Sequence, residues 1–364
     1  MGKPEVFISI RDYMSSYFKT FGEEPINEVD MAVFSKVVYF CFEVFLTDDR
    51  KKIKISELNR LEKRKAFLTN QPYGENDVSF LTDLTGNPRF RDVICTHFVH
   101  TFTTDRKVEQ YGAISFILPT DEVVISFRGT DDSLNGWKED FNMAIYSPVP
   151  SQKDAFSYLK KYAYKEKRPI YLTGHSKGGN LAVYSYLSAD KTLQSKIRKV
   201  YSFDGPGLNE KLEARLHYNE KKQLITKLIP YESIVGQIYS SPEGCDVIKA
   251  SSRLLFQHSL YNWHLTKDFR FERVPSMSKS VNDACAGLNK WLGECNEEDK
   301  QMIIETLFNM LQNSNITTPG QIMNSKTASV INIIDKYQKL DKKIKVRFNS
   351  LFRKLFKNIY LEML

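Results

Sequence analysis

No stretch of this sequence is apolar for long enough to cross a bilayer. It has no CxxC pair, no Cys/His zinc spacing, no glycine-rich phosphate loop, no internal repeat and no low-complexity tract. Its five cysteines, Cys41, Cys95, Cys245, Cys285 and Cys295, are odd in number and scattered. That pattern excludes a disulfide framework and a metal ribbon, and it fits the reduced thiols of a cytoplasmic protein. The opening residues, MGKPEVFISIRDYM, place no apolar run behind a basic start, so no secretory leader is expected there. Acidic residues are the minority charge: 44 against 52 Lys and Arg, a formal net charge of +8. With no nucleic-acid motif to direct it, the excess reads as solvated surface, and no nucleic-acid partner is expected.

What is present is enough apolar material for a large core. The 364 residues are 41% hydrophobic, with 24 Phe and 19 Tyr. Residues 27–46 are densely apolar and free of Pro and Gly, which predicts a buried helix capped at Asn27. Residues 54–68 predict a second, more exposed helix, and 70–90 a loop with one short helix. Then β-branched and aromatic residues take over. Residues 93–103, 111–117 and 122–128 read as strands, the first two as an antiparallel pair. Beyond residue 120 strands at 170–174, 199–205 and 224–229 alternate with helices at 153–165 and 180–189. That alternation predicts a mainly parallel sheet with helices on both faces, an α/β class. The expected organisation is a helical part over 1–90, an α/β core over 91–295, and a helical, charged extension over 296–364.

The stretch YLTGHSKGGNLAV, 171–183, holds the chemistry. Gly174, Ser176 and Gly178 follow a strand and open a helix, which is the pattern of a nucleophile elbow. A serine there is lifted clear of the sheet on a tight turn. Glycines on either side avoid collisions with the adjoining strand and helix. The Lys177 N–H, at the start of the helix, is aimed where an oxyanion would develop.

GHSKGGNLA followed by FDGPG resembles the Mbeg1-like group of α/β-hydrolases, relatives of the class 3 lipases. Further markers are VDMAVFSKVVYF, FRGTDDSLNGWKEDF, ESIVG and QHSLYNW, so the likeness runs from about residue 10 to about 270. The resemblance implies an α/β-hydrolase fold, its sheet mainly parallel and flanked by helices, and lipase- or esterase-type chemistry.

In such folds the nucleophile is followed by the acid and then the histidine. Only His217, His258 and His264 follow Ser176. His258 lies past the last strand signals, in the QH…W element shared with the resembled group, and is the expected base. His217 sits in a charged, water-facing stretch. His175, beside the nucleophile, is read as packing. Two carboxylates compete for the acid. Asp204 ends an apolar strand before Gly-Pro-Gly; Glu232 follows the next strand. Superposing ESIVG on the class 3 lipase pattern puts Ser233 at the acid position, so Asp204 is favoured, with Glu232 the alternative and Asp246 a distant third. In class 3 lipases the residue after the RG pair donates an oxyanion amide, and here that residue is Thr130. Arg128 is expected to pair with Asp140, and residues 131–150, with Trp137, Phe141 and Met143, to cover the site.

The expected activity is hydrolysis of carboxyl esters, lipid esters included, with no metal or organic cofactor. A thioesterase or peptidase would use the same residues, and a non-catalytic binding protein on the same fold is the alternative from another class. The C-terminal stretch 340–364 places Ile344, Phe348, Leu351, Phe352, Leu355, Phe356 and Ile359 on one helical stripe among lysines and arginines. Such a helix either docks on its own protein or lies on an anionic membrane surface.

Overall fold

The computed structural model describes residues 7–69, 76–103, 109–130, 138, 142–143, 148–240, 243–312 and 334–363. Helices α1 (Ile10–Ser16) and α2 (Glu28–Val37) come first, then the short edge strand β1 (Lys52–Lys54), α3 (Leu61–Phe67) and α4 (Asp77–Gly86). Strands β2 (Ile94–Thr103), β3 (Glu109–Ile117) and β4 (Val123–Phe127) follow. Then come α5 (Pro150–Ala163), β5 (Ile170–His175), α6 (Lys177–Ser188), β6 (Ile197–Phe203), α7 (Glu210–Arg215), β7 (Ile225–Pro230) and β8 (Asp246–Ile248). Helices α8 (Lys279–Glu294), α9 (Glu297–Gln312) and α10 (Lys342–Met363) follow β8.

The strands form one sheet in the order β1 to β8. It is antiparallel from β1 to β4 and parallel from β4 to β8. The local sequence explains the division. β2 and β3 are joined by a short connection, as antiparallel neighbours permit, whereas β4, β5 and β6 are separated by α5 and α6, the crossovers that parallel pairing needs. All five residues of β4 are buried, as expected of a strand covered on both faces. One face packs on α1, α2 and α4, with Trp263 and Phe271. The other packs on α5 and α6. Together with the site order described below, this is the α/β-hydrolase fold.

Helix α2 lies across the strands that carry the site. Asn27 caps it through the Val29 and Asp30 amides. Two buried sheet hydroxyls donate to its carbonyls, Ser126 to Phe34 at 3.1 Å and Thr173 to Met31 at 3.0 Å. Contrary to the continuous helix expected over 27–46, α2 stops at Val37. Beyond it the Tyr39 and Phe40 N–H groups bond the Lys36 and Val37 carbonyls in tightening turns, and the aromatic run then makes tertiary contacts. The Cys41 N–H bonds the Phe67 carbonyl at 3.0 Å, and the Tyr39 hydroxyl turns toward His175. The helix expected over 54–68 is also shorter: Ile53 pairs with Cys95 in the sheet, and only 61–67 is α-helical.

Two buried ion clusters hold this N-terminal part together, and the second ties it to Tyr261 beyond the sheet. Arg89 grips Asp30 through two bonds of 2.7 and 2.6 Å, and Tyr13 donates to the same carboxylate at 2.8 Å. Lys36 lies 2.9 Å from Asp77, which also accepts from Tyr261 at 2.6 Å.

Helix α10 runs along α8, with the Trp291 indole N–H donating to the Leu351 carbonyl at 3.0 Å. Phe348 is buried there, and Leu351, Phe352 and Leu355 pack on the same cluster. Ile344 and Phe356, expected on the same stripe, are exposed. No helix among the described residues is long and apolar enough to cross a membrane.

Candidate active site

Ser176 sits between β5 and α6 with φ 57° and ψ −131°. A non-glycine residue rarely occupies this region, which costs roughly 1–3 kcal/mol and persists only where its surroundings impose it. They do so here. A Cβ on Gly174 would lie 2.2 Å from the Gly178 carbonyl oxygen, and one on Gly178 would lie 2.1 Å from the Phe127 carbonyl oxygen. Strand β5, helix α6 and strand β4 therefore meet at a spacing that only hydrogen side chains allow. Ser176 is 8% exposed.

Strand β6 ends one residue before Asp204, itself at φ 48° and 1% exposed. Its Oδ2 lies 2.6 Å from Nδ1 of His258. Its Oδ1 accepts the Ser233 hydroxyl at 2.5 Å and the Gly236 N–H at 3.1 Å. Both oxygens are thus engaged, and the free rotation of the carboxylate is removed. Lys227 lies behind this loop, bonded to the Gly236 carbonyl at 2.6 Å and the Ser240 hydroxyl at 2.8 Å. Burial pushes its pKa down, opposed by Cys245 and Asp204.

His258 closes a 3-10 turn, Leu254–His258. Glu232, the other candidate acid, does not meet its imidazole. The Glu232 carboxylate accepts the Leu254 N–H at 2.9 Å, and its own N–H donates to the Gln257 side chain at 2.8 Å. Glu232 thus braces the turn that carries His258. Asp246 pairs with Arg273 at 2.8 Å. His264 is buried, bonded to the Ser251 hydroxyl at 2.6 Å and stacked on Phe7. His217 lies in the solvent beside Glu220.

Reading His175 as packing missed part of its role. Its Nε2–H donates to the His258 carbonyl at 2.7 Å, and the two rings lie 4.4 Å apart. The Tyr39 hydroxyl lies 3.3 Å from its Nδ1. Burial pushes the His175 pKa well below the usual imidazole range, and His258 adds to the push. A neutral His175 therefore anchors the histidine turn to the residue before Ser176. A GHS sequence places an imidazole there but does not reveal what it touches. Ser233 was also visible only as a departure from the acid pattern, not as a donor to Asp204.

Lys177 is the first residue of α6, at the positive end of that helix. Its side chain is buried, with Nζ donating to the Gln110 carbonyl at 2.9 Å. Thr130 is buried just past β4. Arg128 is also buried, its guanidinium carbon 6.0 Å from the centre of the Tyr39 ring. Asp140, its expected partner, lies outside the described residues, as do Trp137 and Phe141 of the expected cover. Met143 is buried. Among the described residues no cluster of His, Cys, Asp and Glu could hold a metal ion.

The sequence model of the Mbeg1-like family matches residues 84–309. The chain belongs to the Mbeg1-like family. The Mbeg1-like region takes in Thr130, Ser176, Asp204, Glu232 and His258, while helices α1 to α3 precede it. No curated protein matches the sequence. Several solved structures are similar, and two of them are described as lipases. One, described as the crystal structure of M37 lipase, is 19% identical with a TM-score of 0.34, over 58% of this chain and 70% of that one. The other, a fungal lipase–inhibitor complex described as a model for interfacial activation, is 12% identical with a TM-score of 0.34, over 62% and 82%.

Proposed function

We propose that this Mbeg1-like chain is a serine hydrolase that cleaves carboxyl esters, lipid esters among them. The observation that carries the reading is the 2.6 Å contact between His258 Nδ1 and Asp204, with the His258 ring packed at a tilt against His175, the residue before Ser176 in its left-handed conformation. An Nδ1–H donated to Asp204 leaves Nε2 unprotonated, the tautomer a general base needs. In this scheme Ser176 Oγ attacks the ester carbonyl and His258 takes the hydroxyl proton. The amides of Lys177 and Thr130 hold the oxyanion, each lowering the barrier by on the order of 3 kcal/mol. His258 returns the proton to the leaving alcohol, and an acyl-enzyme forms. Water, deprotonated by His258, then releases the acid and restores Ser176.

The test is labelling with a fluorophosphonate, which reacts with activated serines. Wild type is expected to take the label, and Ser176→Ala and His258→Ala to lose it with circular dichroism unchanged. A folded wild type that takes no label would overturn the reading and favour a binding protein on this fold.

A further inference from the structure

The turn that leads into His258 is built inside out. Leu254, Leu255 and Phe256 are 47%, 37% and 59% exposed, whereas Gln257 is 2% exposed. The arrangement is imposed on the chain. Ser252 and Leu254 have φ of 69° and 51°, left-handed backbone that a branched leucine seldom adopts. Polar groups behind the turn hold it there. Glu232 takes the Leu254 N–H, the Gln257 amide donates to the Ser252 carbonyl at 3.1 Å, and Asn262 donates to the Phe256 carbonyl at 2.7 Å. The Trp263 indole fixes the Gln257 carbonyl at 2.8 Å. Tyr231, 40% exposed, precedes the Glu232 brace.

We propose that this turn inserts into the apolar layer of an anionic lipid surface and so brings the Ser176 site to esters held there. The exposure and the bonding favour lipid over a peptide. Three successive exposed apolar residues form the turn, and its backbone groups at 252, 254 and 256 are spent on the framework, so no strand edge is offered for pairing. Arg253, exposed at its start, supplies a cation for the headgroup layer. On α10, Phe348, Leu351, Phe352 and Leu355 are spent on the α8 cluster while Phe356, Tyr360 and Leu361 stay exposed, so α10 is the competing lipid contact that the test must separate from the turn beside His258. The inference rests on the hydrolase reading for its purpose, while the binding itself does not depend on turnover.

The experiment uses the full chain with Ser176→Ala, so no substrate is consumed, and vesicles of phosphatidylcholine with and without one-fifth phosphatidylglycerol. Flotation is expected to recover the protein with the anionic vesicles. Adding Leu255→Ser and Phe256→Ser, at exposed positions that leave the fold intact by circular dichroism, is expected to weaken partitioning on the order of 10- to 100-fold. In a second variant, Phe256→Trp, brominated lipid is expected to quench the new fluorophore. Undiminished partitioning of the double serine variant would overturn the proposal, as would an indole at position 256 that brominated lipid does not quench. So would binding that is lost only with Arg353→Glu and Lys357→Glu on α10. Vesicle binding through the turn by a wild type that takes no fluorophosphonate would remove the enzyme reading and leave this one standing.

Discussion

Replacing Asp204 by Asn tests the site most directly, because its geometry states what the substitution breaks. Asp204 accepts three hydrogen bonds, from His258, Ser233 and Gly236. An asparagine has one acceptor oxygen. If that oxygen stays with Ser233 and Gly236, the amide NH2 faces His258 Nδ1 and donates to it. The imidazole proton must then sit on Nε2, and the base toward Ser176 is lost. The expected cost is about 10⁴-fold in kcat, or about 5 kcal/mol of barrier. Glu232→Gln removes a charge from a bond to the Leu254 N–H and leaves Asp204 intact, so a loss of less than about tenfold is expected. The assay is kcat on a soluble short-chain ester, beside the rate of fluorophosphonate labelling, with circular dichroism for folding. An Asp204→Asn enzyme within tenfold of wild type, or a Glu232→Gln enzyme as inactive as Asp204→Asn was expected to be, would refute the reasoning.

Three further outcomes follow from the same contacts. Ser233→Ala deletes one charge-assisted bond to Asp204 while Gly236 remains, and should lower kcat by about 10- to 100-fold with little change in KM; a KM effect alone would count against a positioning role. Asp77→Ala leaves Lys36 buried without its carboxylate and should cost about 3–5 kcal/mol in urea unfolding; a loss under 1 kcal/mol would show that the site hydrates. His175 faces His258, Tyr39 and Lys36, and its folded pKa lies well below its unfolded value near 6.5. The unfolded chain therefore binds the proton first, so stability is full above pH 6.5 and falls with pH below it, by up to about 1.4 kcal/mol per unit. His175→Gln, which retains a donor for the His258 carbonyl, should flatten that dependence; unfolding curves that stay parallel between pH 7 and 5 would exclude it.

The α/β alternation, the antiparallel pairing of β2 with β3 and the glycine-flanked turn around Ser176 were legible in the sequence, whereas β1 was not. They depend on local steric and patterning rules: β-branched runs for strands, an apolar helix after a glycine-flanked turn, Pro and Gly at the breaks. The length of α2 was not, because residues 38–42 have apolar side chains compatible with helix, and what ends the helix is a bond to Phe67 and the reach of Tyr39 toward His175. The composition of 340–364 marked a basic amphipathic helix, but α8 decided which of its residues are covered.

In the site, residue type and chain order narrowed the acid to Asp204 or Glu232. Both follow strands on the same sheet edge, and no local rule separates them. Packing does. The 3-10 turn before His258 places Nδ1 against Asp204 and uses Glu232 as its brace. The role of His175 likewise depends on a contact spanning 83 residues of chain. Sequence by itself determined the turn at Ser176 and the central strands, since these are set by backbone sterics and local hydrophobic pattern. Only the tertiary structure decided which side chains meet, because a hydrogen bond of 2.6 Å depends on how distant segments pack.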